Sequence, residues 1–184
     1  MNTKLSQIAE IKTGIFARPE LEGEIIYLQA KDFDEFGDLS AILQAELKAD
    51  SLTDKHLLKS GDVLFAAKGS KNFATVYRTN FPAVASTTFF VIRIREPIVL
   101  PEYLVWLLNN SATKKLLKGQ AIGSSISSIS KKVLEELEIT IPSLEKQRLI
   151  LAISRLIRTE HDLRLKVAEL RQLRTQLAIN RAIK

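Results

Sequence analysis

"EITIPSLEKQRLILAISRLIRTEHDLRLKVAELRQLRTQLAINRAIK" (residues 138–184) holds two kinds of sequence that meet at Pro142. Before the proline stands a short apolar strand. After it, residues 143–184 contain neither Gly nor Pro, and nearly every residue is a good helix former. Ser143 is placed to cap the start. Leu149, Leu156, Leu163, Leu170 and Leu177 recur at an unbroken spacing of seven. Ile153 and Val167 stand four residues further on, at the second seam position of a heptad. Glu160, Arg174 and Arg181 fill that position in the other heptads, so the seam is interrupted. A helix over residues 143–184 would run roughly 63 Å, longer than a domain of this size covers with its own core. Two shorter helices folded back on the domain are the alternative, but the unbroken leucine spacing predicts pairing as a coiled coil. The expected division is therefore a globular domain over residues 1–142 and a long dimerisation helix over residues 143–184.

The 184 residues suffice for one hydrophobic core, and 46% of them are apolar, as in an ordinary globular protein. No run of eighteen apolar residues is present to span a bilayer. "MNTKLSQIAEIKTGIF" (1–16) lacks the apolar centre of a secretory signal. The absence of cysteine excludes disulfides, thiolate zinc sites and cysteine nucleophiles. These features predict a cytoplasmic protein without membrane partners.

The net charge of +6 is distributed unevenly. Residues 143–184 carry ten Lys or Arg against four Asp or Glu, while residues 1–142 balance. Residues 1–38 have four basic and eight acidic side chains, whereas residues 55–132 have twelve basic against Asp62, Glu96 and Glu102. Such segregation suggests a basic surface aimed at a polyanion. Charge alone fits equally well with lysines that only keep the domain in solution.

The order of elements is irregular. "EIIYLQAKDF" (24–33) reads as a strand entering a polar loop, and "DEFGD" (34–38) as a turn around Gly37. Thr53 is placed to cap a helix before the Ser60-Gly61-Asp62 turn, which leads into a strand at Val63 to Ala67. "ATVYR" (74–78) and "STTFFVIRI" (86–94) follow as strands. Pro101 opens an amphipathic helix, and a further helical segment ends near Gly119, a candidate C-terminal cap. With no βαβ repeat, this order predicts an α+β domain with a mixed or antiparallel sheet.

Catalytic patterns are weak. His56 and His161 form no metal-ligand spacing, and neither a phosphate-gripping P-loop nor a GxSxG elbow occurs. No adenosylmethionine-binding glycine loop is present. "ELK" (46–48) has the form of a nuclease carboxylate–lysine pair but lacks a well-placed upstream acidic partner. A non-catalytic, binding role explains more. Two polar loops follow apolar elements within the basic stretch: "AKGSKN" (67–72) and "GSSISSISKK" (123–132). Lysines attract and position on phosphates, while Ser and Asn exchange hydrogen bonds with base edges. A glycine lets the backbone come close. The candidate DNA-contacting set is Lys31, Lys68, Gly69, Ser70, Lys71, Asn72, Arg78, Ser124, Ser125, Ser127, Lys131 and Lys132. Ile122, Ile126, Ile129 and Val133 lie at helical spacings that would anchor one side in the core. Ser127 or Ser130 could cap a helix.

"KLSQIAEIKTG", "LLKSGDVLFAAKGS", "YLVWLLNN" and "GSSISSISKKVLEELEITIP", followed by "SLEKQRLI" opening a long helix, together resemble the specificity subunit of type I restriction–modification systems. The resemblance covers essentially the whole chain. It implies a target-recognition domain that reads one part of a split sequence in double-stranded DNA, followed by a helical spacer. It also implies docking to adenine-N6 methyltransferase subunits, which would carry the S-adenosylmethionine, and it leaves a restriction subunit open. Typical members hold two recognition domains with antiparallel helices; this sequence has one of each and so resembles a half-subunit completed by a second copy. Such a homodimer would read a bipartite palindrome. The rivals are a stand-alone DNA-binding regulator or anti-restriction mimic, and a coiled-coil assembly protein that does not bind DNA.

Overall fold

The computed structural model describes residues 2–183 except 21, 35, 41, 70, 71, 80 and 121–127. In chain order the elements begin β1 (Asn2–Lys4), α1 (Leu5–Ile8), β2 (Ala9–Thr13), β3 (Ile25–Leu28), a 3-10 turn (Ala30–Asp32), β4 (Ala45–Leu47) and α2 (Ser51–His56). They continue with β5 (Val63–Ala66), β6 (Ala74–Val76), β7 (Ala83–Ala85), β8 (Phe89–Ile94), α3 (Pro101–Asn109) and α4 (Ser111–Gly119). The last three are α5 (Lys131–Glu135), β9 (Glu138–Thr140) and α6 (Leu144–Ala182). Strand β8, dense in aromatic and β-branched residues, lies inside an antiparallel sheet of order β2-β8-β5-β6. A second sheet, β4-β3-β7, is mixed: β3 runs antiparallel to β4 and parallel to β7. Strands β1 and β9 form a separate antiparallel pair. The α+β class with mixed pairing expected from the sequence is the one observed.

All four residues of β3 are buried, because the strand faces a different apolar cluster on each side. Ile26 and Leu28 pack with Phe33, Leu64, Phe73, Phe89 and Val91, which ties this sheet to β5 and β8. Ile25 and Tyr27 pack with Ile15, Leu47 and Val84. Within the first cluster Phe33, Phe73 and Phe89 form a triangle with ring centroids 5.6, 5.7 and 5.9 Å apart. Gly14 lets β2 close on β7: a Cβ there would lie 2.1 Å from the Ser86 carbonyl oxygen and 2.4 Å from that of Ala85.

Polar side chains hold the connections. Before β5, the Asp62 carboxylate accepts from the Lys59 backbone N–H at 2.8 Å. It also takes both arms of Arg93, at 2.8 Å from Nε and 2.6 Å from a terminal nitrogen. Helix α2 is capped by Asp50, one turn before the predicted cap. Its carboxylate accepts from the Leu52 and Thr53 N–H groups, while Thr53 Oγ1 accepts from the Asp50 N–H. Thr53 is thus the third helical residue of a capping box, and a carboxylate serves the two free N–H groups better than a hydroxyl. The hydrogen bond from Thr53 holds the Asp50 carboxyl below its usual range. Gly119 ends α4 as its last helical residue, with Gln120 as the cap.

Asn109 closes the free edge of β6. Its side chain accepts from Ala74 N–H at 2.9 Å and donates to the Ala74 carbonyl at 2.8 Å, as a neighbouring strand would. Ala74 is buried, so truncation leaves two backbone groups without partners. Asn109→Ala is expected to lower stability by about 2–4 kcal/mol, measured by urea unfolding. Asn109→Asp retains only the acceptor and should also be destabilised.

The chain divides into two compact units, Met1–Leu144 and Glu145–Lys184. Helix α6 is continuous over 39 residues, about 58 Å at the usual rise, rather than two shorter helices. Leu149, Ile153, Leu156, Leu163, Val167, Leu170 and Leu177 are all exposed on it. Among the described residues no helix is long and apolar enough to cross a membrane.

Candidate nucleic-acid interface

The two polar loops meet. Leaving β5, Ala67 donates its N–H to the Thr88 carbonyl at 3.0 Å and accepts from the Ile129 N–H at 3.0 Å. Lys68 then forms an isolated antiparallel bridge with Ser128. Ile129 is anchored at 1% exposure, so this second loop enters the core there, while Ser128 and Ser130 on either side are half-buried. It does so through extended pairing to Ala67, not as part of a helix, because helical structure starts only at Lys131. Ser130 caps that short helix, accepting from the Val133 N–H at 3.3 Å. Three connections therefore converge on the end of the β5–β6 hairpin at their described residues: 67–69 with 72–73, the turn 86–88 and residues 128–130.

Lys68 is exposed there, beside Gly69, whose φ of +99° favours glycine and turns the chain. Lys131 and Lys132 are exposed on the first turn of α5, and Lys131 is paired with Glu135 at 3.4 Å. Lys31 reaches the same end of the domain. The Leu28 carbonyl accepts from Ser86 N–H at 2.8 Å, and the next turn is pinned by the Asp32 carboxylate on Gln29 N–H, leaving Lys31 exposed. Ser70, Lys71, Ser124, Ser125 and Ser127 lie outside the described residues, as do Ile122 and Ile126.

Two predicted contacts are placed differently. Asn72 is only 7% exposed and donates its amide to the Ala66 carbonyl at 3.0 Å. Next to the fully buried Phe73, it braces the loop from inside rather than facing outward. Arg78 follows β6 at the opposite end of the hairpin, where Gly61 N–H donates to the Tyr77 carbonyl, and it pairs with Glu102 at 3.0 Å. Strand geometry separates it from the loop pair by about 10 Å or more.

Sequence reasoning missed the turn 86–88. Ser86 and Thr88 hydroxyls lie 2.6 Å apart, Thr87 between them in the chain is half-buried, and the Thr88 carbonyl accepts from Ala67 N–H. Its signal was the run "STT", which as a β-former cluster reads as strand. Lys114, Lys115 and Lys118 on α4 were also passed over, although "TKKLLKG" falls within the basic stretch.

A catalytic centre finds no support in the geometry around "ELK". Lys48 is bonded to Glu20 at 2.7 Å, which raises its pKa, instead of facing Glu46. Among the described residues no group of three or more His, Asp or Glu is disposed to hold a metal ion.

A family model described as the type I restriction modification DNA specificity domain matches residues 1–165. The chain belongs to this family. By that description its members serve DNA specificity. No curated protein matches the chain. Solved structures of similar fold include the HsdS subunit from Thermoanaerobacter tengcongensis, at 19% identity and a TM-score of 0.62, over 87% of this chain and 37% of that one. The type I restriction–modification S subunit from M. genitalium aligns at 15% identity and a TM-score of 0.59, over 86% and 39%. A chain from a structure on complex assembly and conformational transition of the type I R-M system aligns at 20% identity and a TM-score of 0.64, over 87% and 38%. This specificity domain with its helix thus spans under two fifths of the length of those chains.

Proposed function

We propose that the domain reads double-stranded DNA with the face built around the Lys68–Ser128 bridge. That bridge is the observation that carries the reading: it joins two separate Lys- and Ser-bearing loops into one surface. Lys31, Lys68, Lys131 and Lys132 contact phosphates, Gly69 lets the loop approach the duplex, and neighbouring hydroxyls meet base edges. Ser70, Lys71, Ser124, Ser125 and Ser127 remain candidate contacts on their residue types and place in the sequence. Each phosphate-contacting lysine lost should lower the slope of log affinity against log salt by about 0.9. Lys68→Ala with Lys132→Ala is expected to reduce it by about 1.8, across target and non-target duplexes alike; an unchanged slope removes these two lysines from the interface.

The exposed seam of α6 supports pairing with a second copy of the chain through Leu149, Ile153, Leu156, Leu163, Val167, Leu170 and Leu177. The pair places one recognition domain at each end and reads a bipartite palindrome whose unread spacer is set by helix length. The same helices would dock adenine-N6 methyltransferase subunits, which bring S-adenosylmethionine, and a restriction subunit can join that assembly. The reading is tested by selection from a random duplex pool. An inverted repeat with a constant spacer should be enriched, and inserting one heptad into α6 should lengthen that spacer by about three base pairs. Failure to enrich any sequence at low salt would count against it.

A further inference from the structure

Helix α4 carries Lys114, Lys115 and Lys118, and none of the three pairs with a carboxylate among the described residues. Lys114 and Lys118 stand one helical turn apart on the same face, where like charges repel. Lys114 is half-buried beside the fully buried Leu117. Burial pushes its ammonium below the usual lysine range, and the charge of Lys118 pushes it the same way. As a purely structural helix, α4 would be better served by a neutral side chain or an acidic partner at either position.

The surroundings supply a reason for the arrangement. The segment holding α4 starts at the hairpin end that carries Lys68. At its start, Asn109 clamps Ala74 with two hydrogen bonds, and Asn110 caps α4 directly after it. A helix of nine residues is only about 14 Å long, so its three lysines stay within about that distance of its start beside Ala74, the residue that follows the first loop. The basic surface is therefore wider than the two loops.

We propose that α4 is a second phosphate-contacting element of the interface, with Lys114, Lys115 and Lys118 gripping the DNA backbone beside the stretch read by the loops. This rests on the DNA-reading function proposed above and assigns a role to residues outside the loops. Bound phosphates relieve the Lys114–Lys118 repulsion, so the helix gives up stability in the free protein for charge in the complex. Such contacts position the domain and carry no base preference.

The test uses the full chain, with Lys114→Met and Lys118→Met combined; methionine keeps the apolar stem and removes the charge. Duplex affinity is measured as a function of salt, and thermal unfolding is followed without DNA. The expected result is a salt slope smaller by about 1.8, with the loss of affinity equal for target and non-target duplexes. The melting temperature should be unchanged or higher. A parental slope in a variant that binds DNA would overturn the role of α4 and leave the loops' role standing. A lower melting temperature with unchanged affinity would show the lysines to be structural and overturn it as well. Failure of the parent chain to bind any duplex would overturn both readings together.

Discussion

Asp62→Ala is expected to destabilise the Met1–Leu144 unit by about 3 kcal/mol, read as a fall in the urea midpoint with the slope of the transition unchanged. The Asp62 side chain is 2% exposed and that of Arg93 29%. Removing the carboxylate leaves a largely buried guanidinium with the Leu57 carbonyl, at 3.2 Å, as its remaining hydrogen-bond acceptor among the described residues. It also leaves the Lys59 N–H without its acceptor. The figure sits at the low end of the range for broken buried pairs because Arg93 keeps contact with water. The hydrogen bonds to Asp62 raise the Arg93 pKa further, so arginine cannot escape the loss by giving up its proton. Adding Arg93→Met to Asp62→Ala should recover part of the stability, since the unpaired charge goes with it. A double variant no more stable than Asp62→Ala would show that packing around Asp62, not charge, dominates.

The second large effect concerns α6. Leu156 and Leu163 are 70% and 61% exposed, an arrangement that wastes apolar surface unless another helix covers it. With Leu156→Glu and Leu163→Glu together, a pair of chains loses four buried leucines. At about 1.5 kcal/mol each, the low end for full burial, dimer affinity should fall by on the order of 10^4-fold. Sedimentation velocity is expected to show a dimer for the parent and a monomer for the variant at micromolar concentration. Unfolding of the Met1–Leu144 unit should not change, because neither leucine belongs to its core. A monomeric parent would end the second-copy proposal while leaving the recognition face untouched.

What could be read from the sequence depended on how local the cause was. Strands β3 and β8 show their apolar and β-branched runs directly, and Pro101 and Pro142 mark the start of α3 and the approach to α6. Strand β7, "AVA", could not be recognised, because three small residues become a strand only through parallel pairing with the distant β3. β1 and β4 are as short and depend on remote partners in the same way. At α2 the wrong one of two capping residues was chosen, since both Asp50 and Thr53 take part in the box.

The site was legible as composition rather than as geometry. Lysine, serine and glycine in "AKGSKN" and "GSSISSISKK" identified the two loops, but their meeting at Lys68 and Ser128 follows from long-range pairing that no local pattern encodes. Asn72 shows the converse. A polar residue in a polar loop suggests an outward side chain, yet the pull of Phe73 into the aromatic cluster takes its neighbour inside. The lysines of α4 stand in the basic stretch, but composition does not say which end of the domain that helix starts from; the Asn109 clamp on Ala74 does.

Selection of DNA sequence for adenine methylation by this chain is tested most directly by a genome-wide map of N6-methyladenine in the source organism, with and without the gene. The expected result is the loss of one bipartite palindromic motif, with all others retained. An unchanged map, with the protein shown to be expressed in the parent, would contradict it.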